Sequence, residues 1–181
     1  MKDVRGAAPA ASAALAMAPP GWREALWLCT LAGLALALGG LLYLTDRAAT
    51  QALLVPNVHA LAGLQVFGVL GYWLPSFLHT FAFGLVTAVV LPRQGGSCYV
   101  GCAAWFVVNA VFELGQHPAL SGPLSTAIGN GLGHGAAARA LSNYFVLGRF
   151  DPLDIVAAAL GAGGAAAVLA AVRRPSEPAR A

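Results

Sequence analysis

Glu113 and Gln116 stand three residues apart at the close of one apolar stretch, and Asp151 and Asp154 stand three apart at the opening of the next. On a helix that spacing puts each pair on one face. Ionisable groups at membrane depth are costly and face a protein interior or a wet cavity, so they are the first place to look for function. His79 and Arg149 belong to the same set. A carboxylate near a helix carboxy terminus meets the negative end of the macrodipole, so Glu113 needs a cation, a donor or a proton, and Arg149, Arg139 and His79 are available. The competing reading of Glu113 and Gln116 is a helix end that reaches the polar headgroups.

Asp151 also has a purely structural reading. It fits an N-cap, with Pro152 as the first helical residue and Asp154 as the third, close to a capping box. Asp154 is the more open of the two, because that box prefers Glu or Gln at its position. A histidine near a helix start is commonly a hydrogen-bonding residue in its neutral form. His79, His117 and His134 lack the tight spacing of a zinc motif, so no metal is expected. Asn130-Gly131-Leu132-Gly133 has no following Lys-Ser/Thr and is not a phosphate-binding loop. No catalytic motif and no cofactor signature stands out. Cys98 and Cys102 share a helix face and read as small packing residues; with Cys29 they make an odd set that implies no disulfide framework.

The elements that must position these residues are set by composition. The chain has 181 residues, 59% hydrophobic and 9% charged, and its mean hydropathy is +0.73, which excludes an ordinary soluble domain. The net charge of +3 comes from basic residues in short flanks beside apolar segments, so nucleic acid is not an expected partner. The lipid bilayer is. The expected fold is all-α, a polytopic membrane protein with about four transmembrane helices at 25–44, 75–91, 98–114 and 152–172. These lie in one domain, 22–174, between a disordered tail at 1–21 and a polar tail at 175–181. Ala16-Met17-Ala18 resembles a signal-cleavage site, but the weakly apolar segment before it argues against cleavage.

Between spans one and two, residues 48–74 carry Pro56, Asn57 and His59 and are expected to lie along the interface. Pro75 is expected to open span two, which places His79 in its first turn. The connection 117–150 contains Pro118, Pro123 and many glycines, with 136–147 able to form a short helix. In the last span Ala157, Gly161 and Ala165 form a stripe of small residues suited to close helix packing. If the amino terminus is cytoplasmic, Lys2, Arg5, Arg23, Arg93, Arg173, Arg174 and Arg180 lie inside and only Arg47, Arg139 and Arg149 outside. That bias favours both termini inside, with the polar set on the outer side.

Taken in order, Leu78-His79-Thr80-Phe81-Ala82-Phe83, then Phe112-Glu113-Leu114-Gly115-Gln116, then Arg149-Phe150-Asp151-Pro152-Leu153-Asp154 followed by Gly161, resemble the VanZ-like family of bacterial membrane proteins. The resemblance covers about 75–171. It implies a multi-pass protein of the bacterial cytoplasmic (inner) membrane, part of the cell envelope, with a family name tied to glycopeptide resistance. It carries no established reaction. The positions it implies are His79, Glu113, Gln116, Arg149, Asp151 and Asp154. Two departures matter: Ala158 stands where the family often has Asn, and the connection after Gln116 is longer than usual.

The leading expectation is therefore a polar cluster in the outer leaflet that binds a polar or lipid-linked envelope component. The alternative is a small accessory or assembly subunit among other membrane subunits. A hydrolase or transferase using Glu113 and Asp154 as acid and base ranks last, because no nucleophile or metal motif accompanies them.

Overall fold

A computed structural model of the chain describes residues 21–46, 66–91 and 96–172. Among them are six helices: α1 (Trp22–Asp46), α2 (Leu70–Val90), α3 (Ser97–Gly115), α4 (Pro118–Leu132), α5 (Ala136–Leu147) and α6 (Pro152–Val172). No strand occurs among the described residues. Four helices, α1, α2, α3 and α6, are long and apolar enough to cross a membrane. The protein is an all-α polytopic membrane protein, as composition and apolar run lengths predict. The expected tails at 1–20 and 175–181, and the cleavage-like site, lie outside the described residues.

The third and fourth spans begin and end within a residue of their predicted bounds, and α1 extends a little beyond its own. Span two differs. It starts at Leu70, so Pro75 is inside the helix and His79 lies in its third turn rather than its first. Proline removes one intrahelical donor, which a bundle tolerates when neighbours surround the site. Pro75 is fully buried. The early start is anchored from α1: one Asp46 carboxylate oxygen accepts the Phe67 N–H at 2.9 Å, and the other accepts the Thr45 hydroxyl at 2.7 Å. Gly71 makes room for this, since a Cβ there would lie 2.6 Å from the Asp46 carboxylate. Of the expected interfacial segment, 48–65 falls outside the described residues, while Leu70 to Leu74 belong to α2.

The connection after α3 is also more ordered than its prolines suggest. Its second half forms α5 as expected, but its first half is helical too. Pro118 occupies the first helical turn, where its missing N–H costs nothing, and the His117 ring nitrogen caps the start by accepting the Ala119 N–H at 3.2 Å.

Helix α2 is the hub of the bundle, packed most extensively on α6, then α1 and α3. Leu28, Ala32 and Leu42 of α1, Ala82 and Leu85 of α2, Cys98 and Cys102 of α3, and Ala165 and Leu169 of α6 form one buried core. Ser76 meets Asp154 and Gly84 meets Ala165, so α2 and α6 run the same way, while Asp46 at the end of α1 meets Gly71 at the start of α2. Alternation of direction brings the starts of α1 and α3 and the ends of α2 and α6 to one end of the bundle. Asp46, Glu113, Asp151 and the α4–α5 hairpin share the other.

The small stripe of α6 does what its spacing implies: Ala157, Gly161 and Ala165 are all buried. Gly161 lies against the Phe77 backbone, and a Cβ there would collide with the Phe77 carbonyl. Gly163, two residues on, faces open space. Replacing Gly161 by Ala is expected to destabilise the bundle by about 1–3 kcal/mol through forced separation of α2 and α6. Gly163→Ala should be neutral or mildly stabilising through helix propensity. Thermal unfolding of both variants in detergent checks the contrast.

Candidate functional site

Helix α6 enters the bundle beside the end of α3, and its first backbone groups must be satisfied there. Asp151 is the N-cap: its carboxylate accepts the Leu153 N–H at 2.9 Å. In a capping box the third helical residue would return to the cap's own N–H. Asp154 does not, because its carboxylate accepts the Ser76 hydroxyl of α2 at 2.7 Å. Glu113 supplies the missing acceptor from α3, taking the Asp151 N–H at 2.6 Å. The Glu113 side chain is 9% exposed, so this donor answers the electrostatic need created by the helix end.

The arginines do not enter this junction. Arg149 is exposed in the short link before Asp151, and the Arg139 guanidinium donates to the His134 carbonyl within the hairpin. Of the cation, donor or proton that Glu113 requires, the structure shows a donor, the Asp151 backbone amide, which proximity of the two helix ends makes available.

Gln116 binds a residue the sequence did not mark. Its side chain is hydrogen-bonded to Tyr144 of α5 and packs over Gly148, where a Cβ would lie 2.5 Å from the Gln116 carbonyl oxygen. Gly115 likewise admits the Phe145 ring, which a Cβ would approach to 2.5 Å. Two glycines thus let α5 close over the end of α3. Burial pushes the Tyr144 phenol from an ordinary 10.0 up to about 12; Tyr43, Glu113 and Asp154 add to the rise and the Gln116 hydrogen bond opposes it. Tyr144 is therefore a neutral hydroxyl throughout the physiological range.

Beside Tyr144 lies a shallow, open groove of about 280 Å³, lined by His79, Phe83, Trp105, Asn109, Phe112 and Tyr144 among others. His79 belongs to a ladder of rings. It contacts Tyr43 at 6.2 Å between centroids and Phe83 at 6.2 Å, and Phe83 stacks on Trp105 at 4.6 Å. The Trp105 indole N–H donates to the Thr87 hydroxyl at 2.8 Å, and the Asn109 amide donates to the Trp105 carbonyl at 2.9 Å, leaving its oxygen as an acceptor.

The sequence-predicted residues accordingly fall in three places. Glu113, Asp151 and Asp154 meet at the junction of α2, α3 and α6; Gln116 joins them to Tyr144; His79 lines the groove; Arg149 stands outside. Ser76, Trp105, Asn109 and Tyr144 were missed. Asn109 carried a readable signal, a lone amide in mid-span. Tyr144 carried none, because its importance comes from the folding back of α5. No group of His, Cys, Asp and Glu among the described residues has the arrangement of a metal site.

Two outcomes follow from this geometry. Glu113→Ala strands the Asp151 N–H and should cost about 1–3 kcal/mol, whereas Glu113→Gln keeps an acceptor oxygen and should cost less than half as much; detergent unfolding measures both. Because the Tyr144 pKa is raised in the folded state, the stability it contributes is intact below pH 10 and is lost as pH climbs from about 10 to about 12. Phenolate absorbance should show one tyrosine titrating near the upper value, and Tyr144→Phe should remove it.

No protein-family model, curated protein or solved structure matches the chain, so the reading of this site rests on its own residues.

Proposed function

We propose that this is a VanZ-like protein of the bacterial cytoplasmic membrane, with both termini inside, that binds a polar or lipid-linked envelope component at the outer end of its bundle. One observation carries the reading: Tyr144 joins the carboxylate junction to the aromatic-walled groove, so a polar acceptor and an apolar pocket lie side by side. Ligand sites take this form, mostly apolar walls with a few placed polar groups. The roles then follow from the geometry. The rings of Phe83, Trp105 and Phe112 hold an apolar portion, while Asn109, His79 and the neutral Tyr144 hydroxyl address hydrogen-bonding groups. Glu113, Asp151 and Asp154 fix the helix ends on which that arrangement stands.

A second reading, an accessory subunit of a larger complex, draws on a different face. Gly33, Ala37 and Gly40 are exposed along one side of α1, with nothing near either glycine. Small residues at such spacing let another helix approach closely.

Purification from bacterial membranes in mild detergent separates the two. Binding by the groove predicts a chain that migrates alone and carries an enriched lipid, detected by mass spectrometry after incubation with total lipid extract. Tyr144→Phe should reduce that enrichment about fivefold, the value of one hydrogen bond. Lipid content identical in wild type and Tyr144→Phe refutes the groove reading, and stoichiometric co-purification of another membrane protein supports the subunit reading instead.

A further inference from the structure

The α4–α5 hairpin contains a second, open cleft, of about 300 Å³, which shares no lining residue with the aromatic groove. Its walls are apolar over most of their area, with glycines and an alanine, and polar side chains are set among them. Ser125, Thr126 and Asn130 on α4 face Arg139, Ser142 and Asn143 on α5 across it. The two helices of the hairpin close on each other through Ile128, Ala138 and Phe145, with Ala138 also lining the cleft. Leu120, Leu132, Val146 and Leu147 are exposed on its outside. Thr126, Asn130, Arg139 and Asn143 are exposed as well, so polar and large apolar side chains share the hairpin surface, which suits a seat at the boundary of headgroups and acyl chains.

The charge of the cleft selects the ligand. No Asp or Glu occurs from residue 117 to residue 150, so the cleft's fixed charge is the Arg139 guanidinium. Arg139 sits in the first turn of α5, the end of a helix that repels a cation, and only part of its five-donor fork is used by the His134 carbonyl. Hydroxyl and amide donors around a guanidinium match the acceptor-only oxygens of a phosphate, which a guanidinium can hold bidentately. Basic pockets at membrane boundaries bind phosphate head groups in this way.

We infer that the cleft between α4 and α5 is a binding site for a phosphate group, presented either by a lipid headgroup at the membrane boundary or by a soluble phosphate. The inference is independent of the groove beside Tyr144. The occupant's acyl chains, where it has them, lie along the exposed leucines and valines of the hairpin.

The test uses the full chain in detergent and native mass spectrometry. Wild type is expected to retain phosphatidic acid roughly tenfold better than a diacylglycerol with the same chains, and Arg139→Gln to lose that preference, the scale of a charge-assisted contact. Arg139→Lys, which keeps the charge and loses the fork, should fall between them, and thermal unfolding confirms that each variant is folded. Arg149→Gln, which removes an equal charge outside the cleft, should bind as wild type does. Calorimetry with inorganic phosphate forms the soluble arm: phosphate binding abolished by Arg139→Gln assigns the site to a soluble ligand, and lipid retention without it assigns a headgroup. The inference is overturned if wild type shows neither preference, if Arg139→Gln behaves as wild type in both arms, or if Arg149→Gln loses as much as Arg139→Gln.

Discussion

The backbone N–H of Asp151 has to find an acceptor at the point where α6 enters an apolar bundle, and the Glu113 carboxylate is that acceptor. A buried unpaired amide costs a large part of what a small protein has to spare in stability. The bond also joins the end of α3 to the start of α6, helices separated in the chain by the whole α4–α5 hairpin. Once those ends are held together, the hairpin must close on itself above them, and Tyr144 comes to rest on Gln116. The arrangement amounts to a capping box split between helices: Asp151 caps its own helix, Glu113 takes the part of the third residue, and Asp154 is released to hold Ser76.

Small residues determine how closely the other helices follow. In lipid the hydrophobic effect does not drive helices together, so approach depends on shape and on satisfied polar groups. Gly161 against Phe77, Gly84 against Cys102 and Ala165, and Gly101 against Thr87 bring α6, α2 and α3 within backbone reach. Ser76 can then meet Asp154, and Trp105 can meet Thr87. Hydrogen bonds and small residues are two parts of one device here, because neither pair of polar groups would meet across a bundle spaced by leucines.

Much of this was legible in the residues. Apolar run lengths predict the spans, the Asp151-Pro152 step predicts the start of α6, and the Ala157, Gly161, Ala165 spacing predicts a packed face; these are local signals, and local physics decides them. The errors arise where a distant residue overrides a local preference. Pro75 reads as a helix start, but Asp46 organises the chain before it and lets the helix begin a turn earlier. Pro118 and Pro123 read as a broken loop, yet the His117 cap and the first-turn position of Pro118 allow a helix. Tyr144 could not be picked out at all, since its neighbours Tyr43, Glu113 and Gln116 come from two other helices.

Glu113 draws attention in the sequence because a carboxylate at a helix end lacks a stabilising partner, but the Asp151 amide provides one, and the residue is accounted for as a junction. Tyr144, Asn109 and His79 line the open groove. Chemistry addressed to a ligand belongs to side chains that a groove leaves accessible. The carboxylates keep the helix ends in register, and the aromatic groove beside them carries the proposed recognition.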